Sequence, residues 1–95
     1  MPRRATRHNK RDAAEVPILK ALVRLGVEWI EAGPCDGWVV LAGRFIPVEI
    51  KTGNGKLTEG QAEFIANCER GGLPYGLWRS VEDAVKFVKE WRVKA

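Results

Sequence analysis

Two acids, an ammonium and an amide are placed to act together in this chain of 95 residues. In the run Phe45 to Lys51 strand side chains alternate. Ile46, Val48 and Ile50 share one face, and Glu49 and Lys51 share the other with Phe45 and Pro47. Asp36 follows a Gly33-Pro34-Cys35 turn and begins the preceding run of strand-forming residues. Antiparallel pairing of the two runs brings its carboxylate beside that of Glu49. Two unit charges about 4 Å apart repel by roughly 4 kcal/mol at an effective dielectric near 20, so something positive must sit between them. Lys51 can serve. A hard divalent cation suits paired oxygens better, since Mg²⁺ uses one or two carboxylates, several waters and the phosphate of a substrate. Two structural accounts compete: an E-x-K pair on a solvated strand face, and an aspartate that completes a Pro-x-Asp-Gly turn.

Gln61 shares helical spacing with Phe64, Ile65 and Cys68, which puts it on the face that should pack on the sheet. Thr58-Glu59-Gly60-Gln61 is also a capping box, which explains a glutamine there without any function. The loop Thr52-Gly53-Asn54-Gly55-Lys56 joins the Glu49 strand to this helix, so Gln61 can reach the neighbourhood of Lys51. Lys56 in that loop is a candidate phosphate contact or a solvated lysine.

The elements that must position these residues follow from periodicity. Asp12-Ala13-Ala14-Glu15 has capping-box spacing, and Ile18, Leu19, Leu22, Val23 and Leu25 predict a helix over about 13–25, with Pro17 tolerated only in its opening turn. Val27 to Ile30, Trp38 to Leu41 and Phe45 to Lys51 predict three strands in an antiparallel meander, turning at Ala32-Gly33-Pro34 and Ala42-Gly43-Arg44. A helix from Thr58 to about Arg70 ends at Gly71-Gly72. A fourth strand from Tyr75 to Arg79 follows, then a last helix with Ser80 as N-cap and an apolar stripe of Val81, Ala84, Val85, Val88 and Trp91. The order is α-βββ-α-β-α.

Asp36, Glu49-Ile50-Lys51, Gly55-Lys56-Leu57-Thr58 and Gln61, in that order on those elements, resemble the PD-(D/E)XK nuclease superfamily, and within it the small stand-alone, virus-type VRR-NUC proteins. The resemblance spans about residues 13–90. It implies an α-βββ-α-β core with a mixed central sheet flanked by helices, in the α/β (α+β) class. It implies that Asp36 and Glu49 hold Mg²⁺ or Mn²⁺ with the Ile50 carbonyl, that Lys51 positions or polarises the attacking water, and that Gln61 supports the lysine or the water. The family places a further acid on the first helix. Glu15 is the match, and its capping-box role is an equally good account. Cys35 stands where the family has proline, a change that bears on turn geometry. The implied activity is metal-dependent phosphodiester hydrolysis in DNA, directed at four-way junctions or flaps by a homodimer.

Composition sets the frame. One domain is expected over residues 12–95, since a chain of 95 residues leaves room for a single core and 45% hydrophobic with 29% charged residues can form it. Apolar runs are far short of the roughly 20 residues that cross a bilayer, and none follows the basic start as a signal peptide requires, so a cytoplasmic protein without membrane contact is expected. Residues 1–11 hold Arg3, Arg4, Arg7, Lys10 and Arg11 and no acid, whereas the remainder has 11 basic residues against 12 acidic. This is a flexible basic arm, either phosphate-seeking or merely solvated. Cys35 and Cys68 read as reduced thiols, and Cys35 lacks a histidine partner because the sole histidine, His8, is in the arm. The four tryptophans read as core, except that Trp38 shares the side of Asp36 and borders the expected cleft. The rival reading is a nucleic-acid-binding module without catalysis; a third, a protein-binding adaptor, predicts no nucleic-acid affinity.

Overall fold

Alternating hydrophobic runs in the middle of the chain form the sheet, and the helical stripes close over it. The computed structural model describes residues 13–94. The elements are α1 (Glu15–Leu25), β1 (Glu28–Ile30), β2 (Gly37–Leu41), β3 (Arg44–Ile50), α2 (Glu59–Gly71), β4 (Gly76–Trp78) and α3 (Val81–Lys94). The four strands lie in the order β1-β2-β3-β4. The first three form the expected antiparallel meander, and β4 pairs parallel to β3, so the sheet is mixed and the fold is α+β. A parallel neighbour requires a crossover, and α2 provides it.

Helices α1 and α3 pack on each other and on one face of the sheet. Ile18 and Leu22 of α1, Val39 and Leu41 of β2, Ile46, Val48 and Ile50 of β3, Trp78 of β4 and Ala84 and Val88 of α3 form the core. Each fully buried large aliphatic side chain contributes about 1.5–3 kcal/mol of transfer free energy. No α2 residue belongs to this cluster. Helix α2 instead lies over the opposite face, with Ile65 and Cys68 buried beneath it.

Two expectations change. The capping box at Asp12 to Glu15 does not open α1: the N-cap is Ala14, without a side-chain bond, and Glu15 is the first helical residue. Pro17 then falls in the opening turn, where its missing N–H costs nothing. In α3 the core takes Phe87 alongside Val81 and Trp91, whereas Val85 lines an open groove on the outer side of the helix. Phe87 meets Trp78 edge-on, at 5.5 Å between ring centroids. The predicted N-cap holds, with Asp83 N–H donating to Ser80 Oγ at 3.1 Å.

The β2–β3 hairpin turns through Ala42 and Gly43, both with positive φ (56° and 73°). Two left-handed residues match the twist of the flanking strands, a geometry that favours Asn-Gly over Ala-Gly. Ala42→Asn is expected to raise stability by about 0.5–1 kcal/mol, since alanine is strained at positive φ. Thermal melts of the two proteins check this, with a rise of a few degrees as the result.

Candidate active site

The β2–β3 register pairs Gly37 with Val48, Trp38 with Pro47 and Val39 with Ile46. Continued by one residue, it sets Asp36 opposite Glu49, and directly opposed residues of an antiparallel pair project to the same side. Backbone N–H groups alternate along a strand. That of Lys51 turns to β4 and donates to the Trp78 carbonyl at 3.0 Å, so that of Ile50 faces the β2 side, beyond the end of β2. Asp36 takes the place of a strand there: its Oδ2 accepts the Ile50 N–H at 2.7 Å, a charge-assisted bond that ties the turn to the end of β3. This bond brings the Asp36 carboxylate beside the Glu49-Ile50 backbone.

Glu49 is only 2% exposed. Its Oε1 accepts from Gln61 Nε2 at 3.4 Å. Gln61 also completes the predicted capping box. Its Oε1 accepts the Thr58 N–H at 2.9 Å, and its own N–H donates to Thr58 Oγ1 at 3.1 Å. One end of the amide thus starts α2 and the other faces Glu49. Among the candidate roles, the contact of Gln61 is with the carboxylate, not with Lys51.

Lys51 is half-buried, and its stem runs along Gly55: a Cβ on Gly55 would lie 3.8 Å from Lys51 Cδ. Arg79, which the sequence reading passed over, organises this loop. Its Nη1 donates to the carbonyls of Gly53 at 2.8 Å and Gly55 at 2.7 Å. Its own N–H donates to Asp83 Oδ2 at 2.8 Å, which anchors it to α3. The only sequence signal was a basic residue at the end of the strand adjoining a glycine loop. Lys56 is exposed on the same loop.

Glu15 is buried, at 1% exposure, and α1 starts close to the end of β3, where the Ala14 N–H donates to Thr52 Oγ1 at 3.2 Å. Among the described residues, no three or more of His, Cys, Asp and Glu are grouped to hold a metal. Two carboxylates with the Ile50 carbonyl are still a donor set that fits Mg²⁺ or Mn²⁺, which are commonly held by one or two carboxylates and complete their shells with water and phosphate. Arg3, Arg4, Arg7, His8, Lys10 and Arg11 lie outside the described residues.

Cys35 is buried and donates to the Gly37 carbonyl at 3.1 Å. Burial foremost, with the charge of Glu49 adding to it, pushes its thiol up to about 11. At neutral pH it is a thiol that braces the turn, not a nucleophile. Cys68 is free and raised as well, chiefly by burial.

Among the described residues no helix is long and apolar enough to cross a membrane. No family model, curated protein or solved structure matches the chain.

Proposed function

We propose that the chain is a divalent-metal-dependent DNA endonuclease with a PD-(D/E)XK core. The observation that carries this reading is the Asp36 carboxylate on the Ile50 N–H, opposite the buried Glu49 and one residue before Lys51. Asp36, Glu49 and the Ile50 carbonyl would hold Mg²⁺ or Mn²⁺. Such a cation supplies Lewis acidity, making water a stronger acid and neutralising the negative charge that builds up on a phosphate under attack.

The chain's own groups do the rest. Lys51, held against the glycine loop, orients the attacking water and adds positive charge where the phosphate becomes more anionic. Gln61 holds Glu49, Arg79 holds the loop, and Lys56 with the basic arm draws the backbone of the nucleic acid into place. So small a body has little surface for reading bases, which favours DNA shape, a junction or a flap, over sequence. A homodimer would place two such sites on a symmetric junction.

The alternative, a nucleic-acid-binding module without catalysis, draws on one observation: among the described residues no three or more of His, Cys, Asp and Glu are grouped to hold a metal. Labelled linear, flap and four-way substrates incubated with the protein in Mn²⁺, Mg²⁺ or EDTA separate the two. Cleavage that requires metal and favours a branched substrate is the expected result. Binding without metal-dependent cleavage of any substrate establishes the alternative.

A further inference from the structure

The face that carries Asp36 and Glu49 is covered at one end and bare at the other. Along β3, Glu49 is 2% exposed and Phe45 50%. By register, Ile30 of β1, Trp38 and Val40 of β2 and Phe45 of β3 lie on this same side, and Ile30 and Val40 are also exposed. Trp38 and Phe45 are diagonal neighbours across the pair of strands. Their rings are stacked, with centroids 4.6 Å apart and planes inclined by 13°. The Trp38 Nε1–H donates to the Ala32 carbonyl at 3.0 Å, which fixes the indole in its plane and ties it to the turn that carries Asp36.

We propose that Trp38 and Phe45 form a shelf on which an unpaired nucleobase stacks, next to the phosphodiester held at Asp36 and Glu49. This rests on the nuclease reading for the place of the phosphate. Three observations select a base as occupant. The rings are already parallel and partly exposed, the geometry in which sheet aromatics receive bases on one further face. The shelf is continuous with the candidate site: Trp38 is two residues from Asp36, and Phe45 four from Glu49 on the same face, so a strand whose phosphate reaches the carboxylates has its neighbouring bases within reach of the rings. The patch is also small. Its three half-exposed side chains offer on the order of 300 Å² of apolar surface, against about 800 Å² that each partner gives up in a stable dimer. A substrate with an unpaired strand beside the cut, a flap or an open junction, would be preferred over continuous duplex.

The test is anisotropy of a labelled oligothymidylate, a flap and a blunt duplex, all carrying non-cleavable phosphorothioate linkages, with the full chain in Mn²⁺. Phe45→Ala is expected to weaken oligothymidylate and flap binding about tenfold or more while duplex affinity stays within about twofold; Phe45→Tyr restores it. Equal affinities for all three ligands in Phe45→Ala and wild type overturn the proposal. So does self-association in sedimentation that Phe45→Ala abolishes without changing oligonucleotide affinity, since the occupant is then a second copy. The two readings fail separately: loss of unpaired-strand preference in a chain that never cleaves supports the shelf and removes the nuclease, whereas metal-dependent cleavage with unchanged preference in Phe45→Ala removes the shelf alone.

Discussion

On the nuclease reading, Lys51→Ala is expected to lower cleavage by about 10²–10⁴, the range for removal of one group that stabilises charge or handles a proton, beside a melting temperature that scarcely moves. Lys51 is half-buried with its stem on Gly55, so truncation removes little packing. Asp36 needs a more careful substitution. Its carboxylate satisfies the Ile50 N–H, and Asp36→Ala would strand that donor at a cost of about 1–3 kcal/mol, mixing structure with chemistry. Asp36→Asn keeps an oxygen for the N–H and removes the charge that, on the proposed reading, draws the cation, so it should cleave as poorly as Lys51→Ala while melting near wild type. Cleavage by Asp36→Asn within about tenfold of wild type would mean that Asp36 only builds the turn.

Gly37→Ala carries the largest expected effect on stability. A Cβ at Gly37 would lie 2.1–2.6 Å from three atoms of the Trp29 ring, on the core side of the sheet. The rigid indole is packed against the core and cannot swing away as a flexible side chain would. Overpacking of this kind costs about 3 kcal/mol or more, which in a domain of this size lowers the melting temperature by roughly 12–24 °C. A double-mutant cycle isolates the cause: in a Trp29→Leu background the same alanine should cost at most about 1 kcal/mol, because the clashing ring is gone. Additive losses would place the strain elsewhere. Gly37 follows Asp36 directly, so the close approach of Trp29 also sets where the first carboxylate leaves the turn.

Much of the site was legible because it depends on alternation and caps, which are local. Strand parity set Glu49 on the side of Phe45 and Pro47, and the β2–β3 register, continued by one residue, sets Asp36 opposite Glu49. Thr58 and Gln61 make both bonds of their capping box, as their spacing requires. The failures concern choices made by tertiary packing. Glu15 has capping-box spacing, yet α1 begins at Glu15 itself with Ala14 as N-cap. Val85 and Phe87 both lie near the apolar stripe of α3, and Trp78 decides between them by giving Phe87 an aromatic partner. Arg79 clamps a loop some 25 residues earlier in the chain, a pairing with no trace in local pattern. The bare half of the outer sheet face could not be read either, because alternation tells which residues share a face but not how far a crossover helix covers it.

The most direct test of the account is calorimetric titration of Mn²⁺ into the protein with a non-cleavable phosphorothioate oligonucleotide present, on wild type and on Asp36→Asn. One saturable Mn²⁺ site per chain that Mg²⁺ competes for, and that vanishes in Asp36→Asn, is the predicted result. No binding heat in the wild type, or the same heat in Asp36→Asn, would contradict the claim that the two carboxylates at the end of β3 hold a cation.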